Sequence, residues 1–160
     1  MFEIQLITIG KLKEKFYLSA ASEYIKRLGA YCKFQSIELP EVRLPDSPSS
    51  SEITAALEKE AENLITKLPK NAWICVLTPE GKLISSEDLA QQLANIKLSG
   101  KSCDCFIVGS SFGLSPRIKA MAHFRLSMSP MTFPHHLARI MVLEQLYRAE
   151  AIQAGSRYHK

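Results

Sequence analysis

Apolar and polar positions along this chain switch repeatedly between a strand-like and a helix-like spacing. Five short apolar runs have the length and composition of β-strands: 2–9, 31–39, 72–77, 103–108 and 124–128. Helices are predicted from Pro116 and over four longer segments: 12–28, 51–68, 87–96 and 134–154. This regular alternation predicts an α/β fold, with a mostly parallel sheet and helices on both faces. Because 160 residues suit one core and no linker interrupts them, residues 1–160 are expected to form a single domain.

Two of the predicted strands end in loops of small residues. The first loop, 109–113, follows the strand at 103–108, and the second, 129–133, follows the strand at 124–128. The helices after these loops are predicted to begin at Pro116 and Pro134, since proline lacks only an N–H that would be unpaired there. Strand, small-residue loop and helix, used twice, predict a ligand pocket at the carboxyl ends of the strands. By contrast, Thr78–Gly81 has the composition of a simple turn.

The last predicted helix is apolar on nearly every side. Its apolar positions leave no broad polar face: Leu137, Ile140, Met141, Val142, Leu143, Leu146 and Tyr147. Such a helix is buried on more than one side. Two explanations remain open: burial within its own domain, or contact with a second copy of the chain.

Composition narrows the class of protein. With 46% hydrophobic and 22% charged residues the chain is typical of a globular protein, and no apolar run is long enough to span a bilayer. The N-terminus has the pattern of a first strand and not of a signal peptide, so a cytoplasmic location is expected. The four cysteines are expected to be buried, reduced thiols, because the Cys103–Cys105 spacing suits neither a zinc knuckle nor a redox pair.

Positive charge is concentrated near the C-terminus. Residues 117–160 contain seven of the basic residues and only two acids, although the net charge of the chain is only +4. The excess lies beside the predicted pocket. It is explained either by a polyanionic partner such as nucleic acid or by a solvated basic face without a partner.

Several segments of the chain resemble one known family. Gly109 and Gly113 after an apolar strand, the LSMSPMTFPHHLAR and EQLYRA segments, and the terminal Tyr158-His159-Lys160 are similar to the ribosomal RNA large subunit methyltransferase H family. This family belongs to the SPOUT class, and the resemblance extends over the whole chain. It implies a C-terminal trefoil knot, which is an exception to the general rule of unknotted connections.

The resemblance also implies an activity. Members of the family transfer a methyl group from S-adenosyl-L-methionine to N3 of a pseudouridine in large-subunit (23S) ribosomal RNA, on the assembled ribosome. It implies a homodimer, with neither a metal ion nor a membrane involved. The cofactor contacts are expected at eight positions: Leu77, Ser110, Ser129, Pro130, Met131, Thr132, Phe133 and Pro134.

Ser110 departs from the family pattern, which usually has a second glycine at this position. If the backbone there needs a positive φ, serine costs about 1 kcal/mol. If only the backbone groups of the residue contact the cofactor, serine is tolerated. Activity is expected to survive.

Four residues are candidates for catalysis or for holding the RNA. His135 adjoins the second loop, although it can equally be an ordinary helix-start residue. Arg148 can hold phosphate or base, or be an exposed helix charge. Tyr158 can stack on a base and His159 can accept a proton, although a chain terminus is by itself expected to be disordered.

Arg139 is expected to be structural or at a subunit interface. Asp104 and Glu144 are expected to be surface residues or satisfied structural groups.

Two other functions compete with methyl transfer. The basic C-terminal region alone predicts a non-catalytic ribosome- or RNA-binding protein, which binding of S-adenosylmethionine would argue against. A nucleotide-binding or phosphoryl-transfer enzyme could use the loop 109–113. However, that loop lacks the Lys-Ser/Thr pair of a P-loop and the full dinucleotide fingerprint.

Overall fold

Five strands and five helices alternate through residues 1–160, all of which the computed structural model describes. The strands are β1 (Glu3–Ile9), β2 (Lys33–Leu39), β3 (Trp73–Lys82), β4 (Cys103–Val108) and β5 (Phe124–Leu126). The helices are α1 (Lys15–Leu28), α2 (Ser50–Lys67), α3 (Ser86–Lys97), α4 (Pro116–Met121) and α5 (His135–Gln153). No helix is long and apolar enough to cross a membrane.

All neighbouring strands of the sheet are parallel, in the order β2-β1-β4-β3-β5. Helices α1, α3 and α5 cover one face, where 19 buried apolar residues form the larger core. Helices α2 and α4 cover the other face over a core of 13 residues. The α/β fold that the sequence predicts, with helices on both faces, is therefore confirmed, while the trefoil knot stays a prediction.

The central strand and the last helix together contribute six of the 19 residues of the larger core. Every residue of β4 is buried, as expected for a strand in the middle of a parallel sheet. Helix α5 packs between α1 and α3 against β4, and Leu146 and Ala149 are fully buried. Packing within its own chain therefore explains much of the apolar character of α5.

Several element boundaries differ from the prediction. Strand β2 starts at Lys33 and not at residue 31, and β5 ends at Leu126 and not at residue 128. Helix α1 starts at Lys15, because residues 11–14 form the loop above the end of β1. Pro134 is the N-cap of α5 and not its first residue, whereas Pro116 does open α4 behind the Ser115 cap. Strand β3 continues to Lys82, because the predicted turn bulges out and the chain then pairs with β5 again.

The second pairing of β3 with β5 requires a glycine at position 81. A Cβ atom on Gly81 would lie 2.7 Å from the backbone carbon of Leu126. Only a residue without a side chain therefore allows the chain to pair twice with the short strand β5.

The four cysteines are buried and free, as predicted. Cys103 and Cys105 belong to the core on the α2 and α4 face. Burial raises the pKa of the Cys105 thiol to about 12, so this thiol stays protonated and unreactive near neutral pH.

The expectation for Asp104 was wrong. Asp104 is fully buried, and neither carboxylate oxygen has a hydrogen-bond partner. Its side chain points away from Cys103 and Cys105, since successive residues of a strand face opposite sides of the sheet. Burial, together with the Glu150 carboxylate and against the Lys97 ammonium, raises the pKa of Asp104 to about 7. The sequence did not reveal this because its local pattern does not show that β4 is the central strand of the sheet.

The buried Asp104 makes stability depend on pH. Its pKa is raised in the folded chain, so folding favours the protonated carboxyl group. The stability that this group contributes is fully present below the unfolded pKa near 3.8 and is lost as the pH rises through about 7. Asp104→Asn cannot ionise. We therefore expect its unfolding free energy, relative to that of the unmodified chain, to increase by on the order of 2–3 kcal/mol as the pH rises from 5 to 8. Urea unfolding across this pH range measures the difference. Parallel pH profiles for the two proteins would contradict the prediction.

Candidate active site

Three separate stretches of the sequence meet at the carboxyl ends of three adjacent strands. Strand β3 lies between β4 and β5 in the sheet. Leu77 pairs with Leu126 at the end of β5, and Val76 pairs with Ile107 near the end of β4. The first loop, after β4, and the second loop, after β5, therefore flank Leu77. All eight predicted cofactor positions lie along this edge, which is where α/β proteins bind ligands.

The first loop is a tight turn with a closely packed backbone. The Gly113 N–H donates to the Ser110 carbonyl at 2.9 Å, and Gly113 has a φ of 86°. A Cβ atom on Gly109 would lie 2.3 Å from the Gly113 carbonyl oxygen. Both glycines are therefore required by the shape of the turn.

Ser110 causes no backbone strain. Asn71 is the only residue other than glycine with a positive φ, so Ser110 has an ordinary conformation that serine adopts freely. Its side chain is buried, at 6% exposure. The departure from the family pattern therefore costs none of the conformational energy that a positive φ would impose.

The second loop is open to solvent and offers free backbone donors. The Ser129 hydroxyl accepts from the Met131 N–H at 3.0 Å, and the Ser127 hydroxyl donates to the Ser129 carbonyl at 3.1 Å. The N–H groups of Thr132 and Phe133 donate to no protein atom. These two groups are available to a ligand lying along the loop.

The start of α5 is fixed by a buried arginine. Arg139 is 3% exposed, and its guanidinium donates to Glu38 at 2.6 Å and to the Gly10 carbonyl at 2.8 Å. Helix α5 is thereby tied to the carboxyl ends of β1 and β2. The expectation that Arg139 is structural is consistent with these contacts.

His135 lies one turn before Arg139, beside the second loop. Its Nε2 atom is buried and has no hydrogen-bond partner. Burial is the main cause that lowers the pKa of His135, with a smaller effect from His136. The ring is therefore neutral near pH 7, and Nε2 can either donate to or accept from a bound group.

A groove of about 270 Å³ connects the second loop with the middle of α5. It is lined by Tyr24, Met128, Ile140, Met141, Glu144 and Gln145. The walls are mainly apolar, and the polar groups are Glu144 and Gln145 on α5 and the Tyr24 hydroxyl on α1.

The C-terminal tail, residues 156–160, folds back onto α5 and is not a free end. The Tyr158 hydroxyl donates to Glu144 at 3.1 Å, and its ring lies 4.8 Å from the Arg148 guanidinium carbon. His159 contacts Arg148 at 3.0 Å and Glu87 at 2.7 Å. The structure thus brings three of the four catalytic candidates into one cluster.

The fourth candidate lies elsewhere. His135 precedes Arg148 by 13 positions on α5, which corresponds to roughly 20 Å along the helix axis. In one chain the candidate site therefore has two parts: the edge that carries the eight predicted cofactor positions and His135, which we call the cofactor edge, and the tail cluster with Arg148.

The basic excess near the C-terminus is largely paired in three dimensions. Four of its seven basic residues contact carboxylates: Arg117, Lys119, Arg139 and Arg148. Their partners include Glu38, Glu58 and Glu80 from the first half of the chain. Counting charge by segment therefore overestimates the free positive charge beside the pocket.

Sequence reasoning missed one residue of the cluster and undervalued another. Glu87, in the first turn of α3, was not singled out, since an acid there is an ordinary feature of a helix start. Glu144 is expected to be a surface residue or a satisfied structural group, and it accepts from both Arg148 and Tyr158. The four-residue spacing of Glu144 and Arg148 is the one signal in the sequence that indicates their contact.

Solved structures share this α/β fold. A probable methylase family protein from Haemophilus influenzae superposes with a TM-score of 0.54 at 16% identity, over 98% of this chain and 70% of that one. A probable methyltransferase from Bordetella pertussis gives a TM-score of 0.58 at 13% identity, over 93% and 96% of the two chains. The fold class is thus one found among probable methyltransferases.

Sequence comparison identifies the family. A family model described as "Predicted SPOUT methyltransferase" matches residues 2–159. A Ribosomal RNA large subunit methyltransferase H from Streptococcus thermophilus is 46% identical over 99% of both chains. A protein of the same name from Clostridium botulinum is 43% identical over 98% of this chain and 99% of its own length. The chain belongs to the SPOUT methyltransferase family, which confirms the resemblance inferred from the motifs.

The close packing of the first loop predicts the effect of a single methyl group. We expect Gly109→Ala to displace the turn at Gly113, because a rigid backbone oxygen occupies the space of the new Cβ. Affinity for S-adenosylmethionine, measured by calorimetry, should fall at least about tenfold, or roughly 1.4 kcal/mol. Ser110→Ala is the matched control: if Ser110 contacts the cofactor through its backbone only, affinity should change less than about threefold. Unchanged affinity in a folded Gly109→Ala variant would remove the first loop from the cofactor site.

Proposed function

We propose that this protein is an S-adenosyl-L-methionine-dependent methyltransferase that modifies N3 of a pseudouridine in 23S ribosomal RNA. In this proposal the substrate is the assembled ribosome, the location is the cytoplasm, and residues 1–160 act as one SPOUT-like domain. The names of the relatives, which denote ribosomal RNA large-subunit methyltransferases, support the substrate class. The meeting of Leu77, Ser110 and the second loop on adjacent strands is the observation that carries the proposal.

The residues at the carboxyl edge fit the cofactor. Its adenine and carboxylate need backbone donors and a partly apolar wall, which the N–H groups of Thr132 and Phe133 and the side chain of Leu77 provide. The holding residues would be Leu77, Ser110, Ser129, Pro130, Met131, Thr132, Phe133 and Pro134. When bound, S-adenosyl-L-methionine supplies an activated methyl group, so neither a metal ion nor a protein nucleophile is needed.

The protein residues act by placement and by handling a proton. The two loops orient the acceptor base relative to the predicted cofactor positions, and orientation is the main contribution an enzyme makes to a simple displacement. Tyr158 has an aromatic face on which a base can stack. His135 can accept the N3 proton at its unpaired Nε2 atom, whereas His159 can accept it only once its Nδ1 atom leaves Arg148. Arg148 can contact phosphate with the N–H groups that its partners leave free.

Mapped methylation tests the proposed activity. Ribosomes from cells that lack the enzyme, incubated with purified protein and S-adenosylmethionine, should gain one methyl group on a 23S pseudouridine, as measured by mass spectrometry of nuclease fragments. Free 23S RNA serves as the comparison and should be methylated at least about tenfold more slowly. Tight ribosome binding with no methyl transfer and no cofactor binding would instead support the non-catalytic RNA-binding alternative.

We also propose that the active form is a homodimer. In one chain, His135 and Arg148 lie far apart, and the groove on α5 keeps Ile140 and Met141 partly exposed. A second copy would cover this apolar wall and add a second tail to the surroundings of the cofactor edge.

Sedimentation tests the dimer. We expect a mass of two chains at micromolar concentration, and a shift towards one chain in Met141→Glu, because a buried charge opposes association. Met121→Glu is the matched control, since Met121 lies on α4 across the sheet and is 40% exposed. A fully active monomer would refute the dimer proposal.

A further inference from the structure

One carboxylate oxygen organises the tail cluster. Glu144 Oε1 accepts from Arg148 Nε at 2.9 Å, from Arg148 Nη2 at 2.6 Å and from the Tyr158 hydroxyl at 3.1 Å. Its second oxygen accepts from Gln145 at 2.7 Å. The side chain of Glu144 is only 18% exposed, so these contacts are partly shielded from water and are stronger than those of a surface ion pair.

Arg148 is occupied chiefly inside the protein. Three of its N–H groups already have acceptors: two donate to Glu144 Oε1 and one donates to His159. A guanidinium has five N–H groups, so two remain for any ligand. The main work of Arg148 in this state is therefore to connect Glu144 with the tail.

The contacts of His159 define where its proton lies. Arginine only donates, so Nδ1 of His159 must accept from Arg148 Nη1 at 3.0 Å. The proton of the neutral ring is then on Nε2, which donates to Glu87 Oε1 at 2.7 Å. Arg148 and Glu87 thus select one tautomer from opposite sides of the ring.

Tyr158 is held as a hydrogen-bond donor. Burial, followed by the hydrogen bond to Glu144, raises the pKa of Tyr158 to about 12. Its ring also packs edge-on against Tyr147, with ring centroids 4.6 Å apart. The aromatic face is therefore fixed in orientation by two independent contacts.

We propose that Glu144 and Glu87 are positioning residues for the C-terminal tail: Glu144 fixes Arg148 and Tyr158, and Glu87 with Arg148 fixes His159 in its Nε2–H tautomer. Neither glutamate needs to contact RNA or cofactor. Ordering the tail before substrate arrives removes an entropy cost from the reacting complex. The importance of this order for methyl transfer rests on the proposed function, whereas the order itself does not.

The first test separates positioning from RNA binding. In Glu144→Ala, kcat for ribosome methylation should fall at least about tenfold, while KM for ribosomes and the Kd of S-adenosylmethionine change less than about twofold. Glu23→Ala is the matched control, because Glu23 and Arg27 form the same four-residue pair at 2.9 Å on α1. It should retain normal kcat. A normal kcat in Glu144→Ala, or a raised KM with unchanged kcat, would overturn the proposal.

The second test needs no activity. Nitrogen-15 NMR of the imidazole ring, with His159 assigned by its absence in His159→Gln, should show one Nε2–H tautomer in the unmodified protein. Glu87→Gln keeps an oxygen acceptor and should preserve this signature, whereas Glu87→Ala should let the ring turn away from Arg148 and give a mixture of tautomers. A single Nε2–H tautomer in Glu87→Ala would show that Arg148 alone sets it and would overturn the role of Glu87. Glu87 is well exposed, with 62% of its side chain accessible, so both variants should fold.

The two tests also separate the two proposals. A mixed tautomer in the unmodified protein would overturn the positioning role, whatever the activity. A single tautomer that Glu87→Ala abolishes would support it even if the unmodified protein methylates no ribosome. That last result would refute the proposed function alone.

Discussion

The position of α5 depends on the contacts of one buried arginine, Arg139. Arg139 bonds to Glu38 and to the Gly10 carbonyl, and the same Glu38 oxygen accepts from the Leu12 N–H at 3.1 Å. One carboxylate at the end of β2 therefore holds both the chain leaving β1 and the first turns of α5. The Arg139 side chain is buried whereas Glu38 is 39% exposed, so removing Glu38 would leave a buried guanidinium without its carboxylate, which opposes folding. Because His135 is one turn away, this contact also places the second loop.

The two halves of the candidate site are built by different means. The cofactor edge uses mostly backbone: a tight turn at Gly109 and Gly113, and a loop with free N–H groups at Thr132 and Phe133. Backbone groups tolerate changes of side chain, which explains why Ser110 fits where the family usually has glycine. The tail cluster uses side chains, so each of its members depends on the identity of the others.

Electrostatics at the tail differ from what segment charge indicates. Arg148, which the sequence offers as a free cation, is neutralised by Glu144, and His159 faces Glu87. Beside the exposed Arg157 and Lys160, the tail thus presents an aromatic ring and an oriented imidazole. For a reaction that transfers a methyl group, orientation of the acceptor base contributes more than additional nonspecific attraction to phosphate.

The sequence by itself determined the α/β class, the element order, the buried cysteines and the family. Periodicity reports which face of each element is buried, and the motifs at 109–113, 126–139 and 144–149 are specific enough to identify relatives. It also located the two loops, since small residues after apolar strands have few other structural roles. It could not establish the reach of β3 beyond Leu77, because the second pairing with β5 depends on a partner distant in sequence.

Only the tertiary structure decided which side chains meet. Asp104 is buried without a partner because β4 is the central strand, a fact that strand order and not local sequence determines. Glu87 reaches His159 across 72 residues, a separation over which no periodicity carries information. Long-range contacts arise from the packing of whole elements. They determine the tautomer of His159 and raise the pKa of Asp104, and neither effect can be read from the neighbouring residues in the sequence.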